Sequence, residues 1–332
     1  MRKEAFIPGF DWVKIFGSII IAMTHYGFFS GFHDSHTDAY RMLGVLVPTF
    51  FLMSGYLRSR DSSKEKVIKQ VLKYGILYLI VDYIGVFLIQ FDDYQRCGQF
   101  DFTGLFINFL KGFVCNNWYM YHLWFIPALL YPLLLNAFLN HKSRKVVIAI
   151  AAVLWILIEV IGQGCILSMI QRFYMAFPLL NKVFFVSETL SVIRMYVTGF
   201  LFTTLGFEIC DMKVKLIYPV IAVIILLPLE LYAGIIGLAF ILLSVLVFLL
   251  IKKLPGMFLL PYHSEISLFS CIMYFFHPLG GRLISAYITT DKLGILIIFT
   301  VFSLIVTAAY AYLIRKKTRK TKRRIKGTGY GF

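Results

Sequence analysis

Apolar runs of about 17 to 22 residues recur along most of this chain, close to the length a helix needs to cross the hydrocarbon core of a bilayer. The runs carry Gly, Pro and Ser and lack the alternating pattern of an outer-membrane barrel strand, so they predict helices. With 59% hydrophobic residues over 332 positions and a mean hydropathy of +0.79, the composition speaks against a soluble globular domain. The expected fold is all-α: a polytopic integral membrane helical bundle of about ten transmembrane helices.

The spans are expected near 12–31, 40–57, 73–91, 118–139, 146–163, 190–208, 216–232, 234–251, 266–286 and 293–314, with Ala233-Gly234 as a very short turn between two of them. An even count leaves both ends on one side. Lys and Arg collect at Arg2 and Lys3, between spans two and three, after span four, around Lys213 and Lys215, at Lys252 and Lys253, and in the tail RKKTRKTKRRIKG. The opposite loops hold few cations, so both termini are expected in the cytoplasm. The net charge of +16 is then mainly topological. A basic run directly after a last span suits anionic lipid headgroups better than nucleic acid. The first apolar stretch is long enough to remain as a signal anchor. Residues 1–314 read as a single transmembrane domain and 315–332 as a basic cytoplasmic tail. Cys97, Cys115 and Cys165 fall in loops expected outside, where one disulfide is permitted, whereas Cys210 and Cys271 fall at or within the membrane.

Within the first span, Lys14 and His25 lie eleven positions apart. At about 100° per residue they share one helix face, and at about 1.5 Å rise they are roughly 16 Å apart along it. A lysine near a span's cytoplasmic end can simply snorkel to the headgroups. A histidine well inside a span needs a hydrogen-bonding partner or a water-filled cavity, which points to use.

Other segments join this pair. Span two ends in VPTFFLMSGYL, span four opens with YHLWFIPALL, and span nine carries SCIMYFFHP. With Asp11 they form an ordered set: Asp-x-x-basic, a histidine eleven residues after the basic position, PxFFxxSGY, HLWF, and a late Ser-x-x-x-Tyr-x-x-His. The set resembles the membrane-bound acyltransferase 3 family over essentially the whole chain. The resemblance implies transfer of an acyl group, usually acetyl, from cytoplasmic acyl-CoA to a hydroxyl of an envelope carbohydrate or glycolipid, in a bacterial cytoplasmic membrane. It implies His25 as the catalytic histidine and Lys14 where the family usually has arginine. Lysine keeps the charge but loses the planar bidentate fork. Arg58, Arg60, Lys66, Lys69 and Lys73 follow the SGY segment as further candidates for the coenzyme phosphates.

Acyl-CoA is the donor substrate, and no metal is expected. Neutral His25 can take the proton of an attacking hydroxyl. The oxyanion then needs donors, for which Ser54, Tyr56, Tyr274 and the Trp124 indole are candidates. His277 before Pro278 either anchors a bend or touches substrate. His122 suits packing or an interfacial belt. His33, Asp34, His36 and Asp38 suit a solvated loop or an acceptor contact better than a zinc site, because no further ligand cluster completes the shell. Asp82, Glu159 and Glu230 are intramembrane acids expected in structural pairs. Two other classes compete: a transporter or flippase of an envelope glycan or lipid, and a non-catalytic sensor or assembly subunit. Against the first, no matching pair of broken helices appears in the two halves; against the second stands an intact His25.

Overall fold

The computed structural model describes residues 7–26, 45–61, 63–106, 109, 121–161, 186–209, 215, 217–218, 220–221, 224–225, 238–253, 262–288 and 290–327. Among them the chain is all helical, without a strand. The helices are α1 (Pro8–His25), α2 (Leu46–Asp61), α3 (Lys64–Cys97), a 3-10 turn (Tyr121–Trp124) leading into α4 (Phe125–Asn136), α5 (His141–Ile161), α6 (Val186–Glu208), α7 (Leu238–Lys252), α8 (His263–Tyr287) and α9 (Lys292–Gly327). Two of them contain stretches long and apolar enough to cross a membrane by length and composition, Lys64–Leu88 and Lys292–Ile314, and most of each stretch is not buried. Nine of the ten expected spans overlap a described helix; most of 216–232 and the Ala233-Gly234 turn lie outside the described residues.

The boundaries differ from the sequence expectation for local reasons. The first span begins at Pro8 instead of residue 12, because proline at the first helical position pre-sets φ and Asp11 in the first turn complements the helix dipole. Tyr26 caps that helix through its N–H to the Ala22 carbonyl, so His25 sits in the last turn and not midway. The basic stretch expected as a loop between spans two and three is helical on both sides of residues 62–63. Lys, Glu, Gln and Leu between 64 and 73 are good helix formers, and α3 stops only at Gly98, which adopts φ 72°. For the same reason α9 runs through the basic residues beyond 314 as far as Gly327.

Two compact units form, a central one from Asp38–Lys253 with Met1–Ala5, and a terminal one from Phe6–Thr37 with Leu254–Phe332. In the central unit, α6 packs on α2, α4 and α5. The crossing of α2 and α6 needs glycine on both sides. A Cβ on Gly55 would overlap the Thr203 carbonyl oxygen and stand 3.2 Å from the Gly206 Cα, so the two backbones touch in the small-residue manner of membrane helices.

Side-chain pairs fix helix directions in this unit. Val67 meets Leu133 while Gly75 faces Leu130, so α3 and α4 are antiparallel. Tyr131 stacks on Tyr196 at 5.8 Å and Asn136 Nδ2 donates to Thr204 Oγ1 at 2.9 Å, so α4 and α6 are parallel. Trp155 Nε1 donates to Thr198 Oγ1 at 3.1 Å, whereas Arg144 lies 4.8 Å over the Phe207 ring, so α5 and α6 are antiparallel.

In the terminal unit, α8 packs against both α1 and α9 around Ala22, Phe269, Met273, Leu296 and Phe299. Helices α1 and α8 are parallel at a nearly constant offset: Asp11 pairs with His263, Lys14 with Ser267, and Tyr26 with His277. Helix α9 runs back along α8.

Candidate active site

Lys14 and His25 lie on one face of α1, as the spacing requires, and the parallel α8 supplies a partner to each. At the amino-terminal end, Asp11 is 1% exposed and is met by the side chains of Lys14 and His263. One carboxylate oxygen accepts from Lys14 Nζ at 3.1 Å and the other contacts His263 Nδ1. Lys14 Nζ also donates to Ser267 Oγ at 2.9 Å. Lys14 is thus fixed in direction by two acceptors, and about a quarter of its side chain remains exposed. His263 and Ser267 are not apparent from sequence alone: they lie about 250 positions from their partners and outside the motifs, and only the parallel α1–α8 contact brings them in.

At the other end of the helix pair, the His25 ring stacks on His277 with centroids 4.9 Å apart and 30° between planes. His277 is fully buried and His25 half-buried. The residue after His277 explains its posture. Pro278 lacks an N–H, so the Tyr274 carbonyl four residues back loses its helical donor. His277 Nδ1 replaces it, lying 3.0 Å from the Tyr274 oxygen and 2.8 Å from the Met273 oxygen. Two carbonyls at Nδ1 require that nitrogen to carry the proton, which makes Nε2 the basic nitrogen of the neutral ring. Tyr26 Oη donates to the His277 carbonyl at 2.7 Å, and glycine at 281 leaves room for the Tyr26 ring. The Nδ1 edge of His277 thus serves the carbonyl freed by Pro278, while its ring face meets His25. Tyr274, a half-buried residue one turn earlier, packs edge-on against Phe275.

The remaining candidates belong to the central unit. Ser54 is half-buried in α2. Tyr56 is buried edge-on against Phe248 at 5.6 Å, with Lys252 Nζ 4.7 Å from its ring centre. Trp124 ends the 3-10 turn beside Phe51. Arg58 is half-buried near the end of α2, and the side chain of Arg60 lies outside the described ones. Lys66, Lys69 and Lys73 are exposed, and their spacing places them on one stripe of α3. Asp82 is fully buried in α3. The side chains of His122 and Glu159 lie outside the described ones, as do Glu230, the 33–38 loop, Cys115, Cys165 and Cys210. Cys97 and Cys271 form no disulfide. Among the described residues no group of three or more His, Cys, Asp or Glu could hold a metal ion.

The family model for the acyltransferase domain Acyl_transf_3 matches residues 7–315, and the chain therefore belongs to the acyltransferase 3 family. Comparison with curated proteins and with solved structures found no match. The family is membrane-associated, and its assignment supports an acyltransferase.

Proposed function

We propose that the protein is a polytopic O-acyltransferase that moves an acyl group, acetyl in the first instance, from cytoplasmic acyl-CoA to a hydroxyl of an envelope carbohydrate or glycolipid. The observation that carries this reading is the α1–α8 pair: a directed cation at one end and a positioned pair of imidazoles at the other, about 16 Å apart along one helix face. Coenzyme A is a polyanion on a long thin arm. Lys14 would meet its phosphates while the arm carries the thioester inward; Arg58, Arg60, Lys69 and Lys73 are further candidates from the basic run after the SGY segment.

His25 then takes the proton of the acceptor hydroxyl as that oxygen attacks the thioester carbonyl. The tetrahedral intermediate collapses with cleavage of the carbon–sulfur bond. The ester remains on the acceptor, and the coenzyme thiolate leaves and takes up the proton held by His25. His277 presents a rigid ring face against the base. Candidate donors to the oxyanion are the hydroxyl of Tyr274 in the terminal unit and, from the sequence motifs alone, the hydroxyls of Ser54 and Tyr56 and the Trp124 indole.

Helix directions support the membrane architecture. A chain that crosses a bilayer repeatedly must alternate, so spans three and four, and five and six, run antiparallel, whereas four and six run parallel. The described pairs follow this rule. The parallel α1 and α8 require an odd number of crossings between them. The described helices α2 to α7 give six, and the apolar sequence near 216–232, mostly outside the described residues, is proposed as the seventh. Exposed Ile76, Ile80, Ile84 and Phe87 on α3 suit lipid contact. We read both termini as cytoplasmic from the cation bias, and the membrane as a bacterial cytoplasmic one from the family's envelope substrates.

The test is acetyl-CoA binding to purified protein by calorimetry, wild type beside Lys14→Glu, followed by coenzyme release with and without an envelope glycan extract. Saturable binding weakened by Lys14→Glu, with glycan-dependent release, is expected. Absence of binding by folded wild type would move the reading to a transporter of such glycans.

A further inference from the structure

We propose that a groove formed by α1, α8 and α9 of the terminal unit binds one zwitterionic phospholipid, a molecule carrying an ammonium and a phosphate in the same headgroup. The inference rests on the reading of α9 as a membrane span. The groove, of about 880 Å³, is lined by residues of α1, of α8 with the preceding Tyr262, and of α9. It is separate from the Lys14–His25 line, because Ile15 and Ile19, which line it, lie on another face of α1.

Its chemistry is graded along its length. Away from the charged end the wall is mostly apolar, with Ile19, Phe269 and Leu304 alongside Thr300 and Thr307, and α9 carries the small Ala308 and Ala311 there. The mouth carries one acid and one base, Glu265 and Lys316, with Tyr262 and Tyr312 beside them. Tyrosines at that level are what an interfacial belt requires. Lys316 Nζ lies 5.9 Å from the Tyr312 ring centre, just beyond the apolar stretch that ends at Ile314.

Length agrees with charge. From Thr300 to Lys316 is sixteen residues, or about 24 Å of helix. One leaflet offers about 15 Å of hydrocarbon and about 5–8 Å of headgroup layer. A single lipid with its chain along α9 and its headgroup at Glu265 and Lys316 fills that span. A headgroup with phosphate alone would satisfy Lys316 but meet repulsion from Glu265; one bearing both charges satisfies each.

The experiment is native mass spectrometry of the full chain released from micelles after exchange into equimolar phosphatidylethanolamine and phosphatidylglycerol. Wild type should retain one phosphatidylethanolamine. Glu265→Lys should reverse the preference by roughly tenfold, the equivalent of one charge-assisted contact. Ala308→Trp, which fills the groove, should retain no lipid while its thermal unfolding and coenzyme binding stay as in wild type. Equal retention of both lipids by wild type, or undiminished retention by Ala308→Trp, would overturn the proposal. Release of the protein from membranes by alkaline carbonate without detergent would overturn the membrane reading beneath it, and that result is read independently of lipid preference.

Discussion

Replacing His277 by phenylalanine keeps a ring against His25 but removes the donor that serves the Tyr274 carbonyl. Because His277 is fully buried, no water can take over at Nδ1 without entering the packed pair. A buried acceptor stripped of its donor costs about 1–3 kcal/mol. At roughly 2–4 °C per kcal/mol for chains of some 200 residues, the midpoint of thermal unfolding in detergent should fall by about 2–12 °C. The physical reason resides in the next residue, so the loss must depend on it. In a Pro278→Ala background, the alanine N–H is available to the same carbonyl, and His277→Phe should cost less than about 1 kcal/mol. Thermal unfolding of the four proteins in this cycle gives the coupling directly. Equal destabilisation by His277→Phe in both backgrounds would refute the role assigned to Nδ1.

Other consequences can be checked separately. Asp11→Asn leaves Lys14 and His263 without their common carboxylate; with both side chains partly exposed and able to rehydrate, the expected loss is about 1–3 kcal/mol, smaller when Lys14→Gln is added, and strict additivity in unfolding measurements would contradict the pairing. Gly55→Ala forces the α2 and α6 backbones apart and should lower stability by about 1–3 kcal/mol or more, whereas Gly98→Asn, at an open left-handed cap, should cost well under 1 kcal/mol; the reverse ranking would overturn the crossing argument. Joint replacement of Lys66, Lys69 and Lys73 by Gln should raise the coenzyme dissociation constant and flatten its salt dependence without changing unfolding, and an unaltered salt slope would remove that stripe from the donor site.

What was legible in the sequence was mostly local. Hydropathy anticipated where helices lie, and the eleven-residue spacing put Lys14 and His25 on one face without any tertiary information. The late Ser-x-x-x-Tyr-x-x-His segment was singled out, yet its meaning required α8 to lie parallel to α1, which no local pattern specifies. The same holds for Asp11 with His263 and Lys14 with Ser267, whose partners are brought together only by that packing. Helix ends were misplaced where the chain had no reason to stop: charge marks a membrane boundary, but Lys and Arg continue a helix, so α3 begins in the basic stretch and α9 runs through the tail. In SGY the hydroxyls of Ser54 and Tyr56 drew the functional reading, while Gly55 is the residue that the α2–α6 crossing cannot change.

The central claim is that His25 accepts the proton of the attacking hydroxyl. Its most direct test is single-turnover transfer of labelled acetyl from acetyl-CoA to an envelope glycan extract, with wild type and His25→Ala compared at matched folding and matched coenzyme binding. Labelled ester is expected with wild type, and a loss of about 100-fold or more with His25→Ala. Transfer by His25→Ala at the wild-type rate would contradict it.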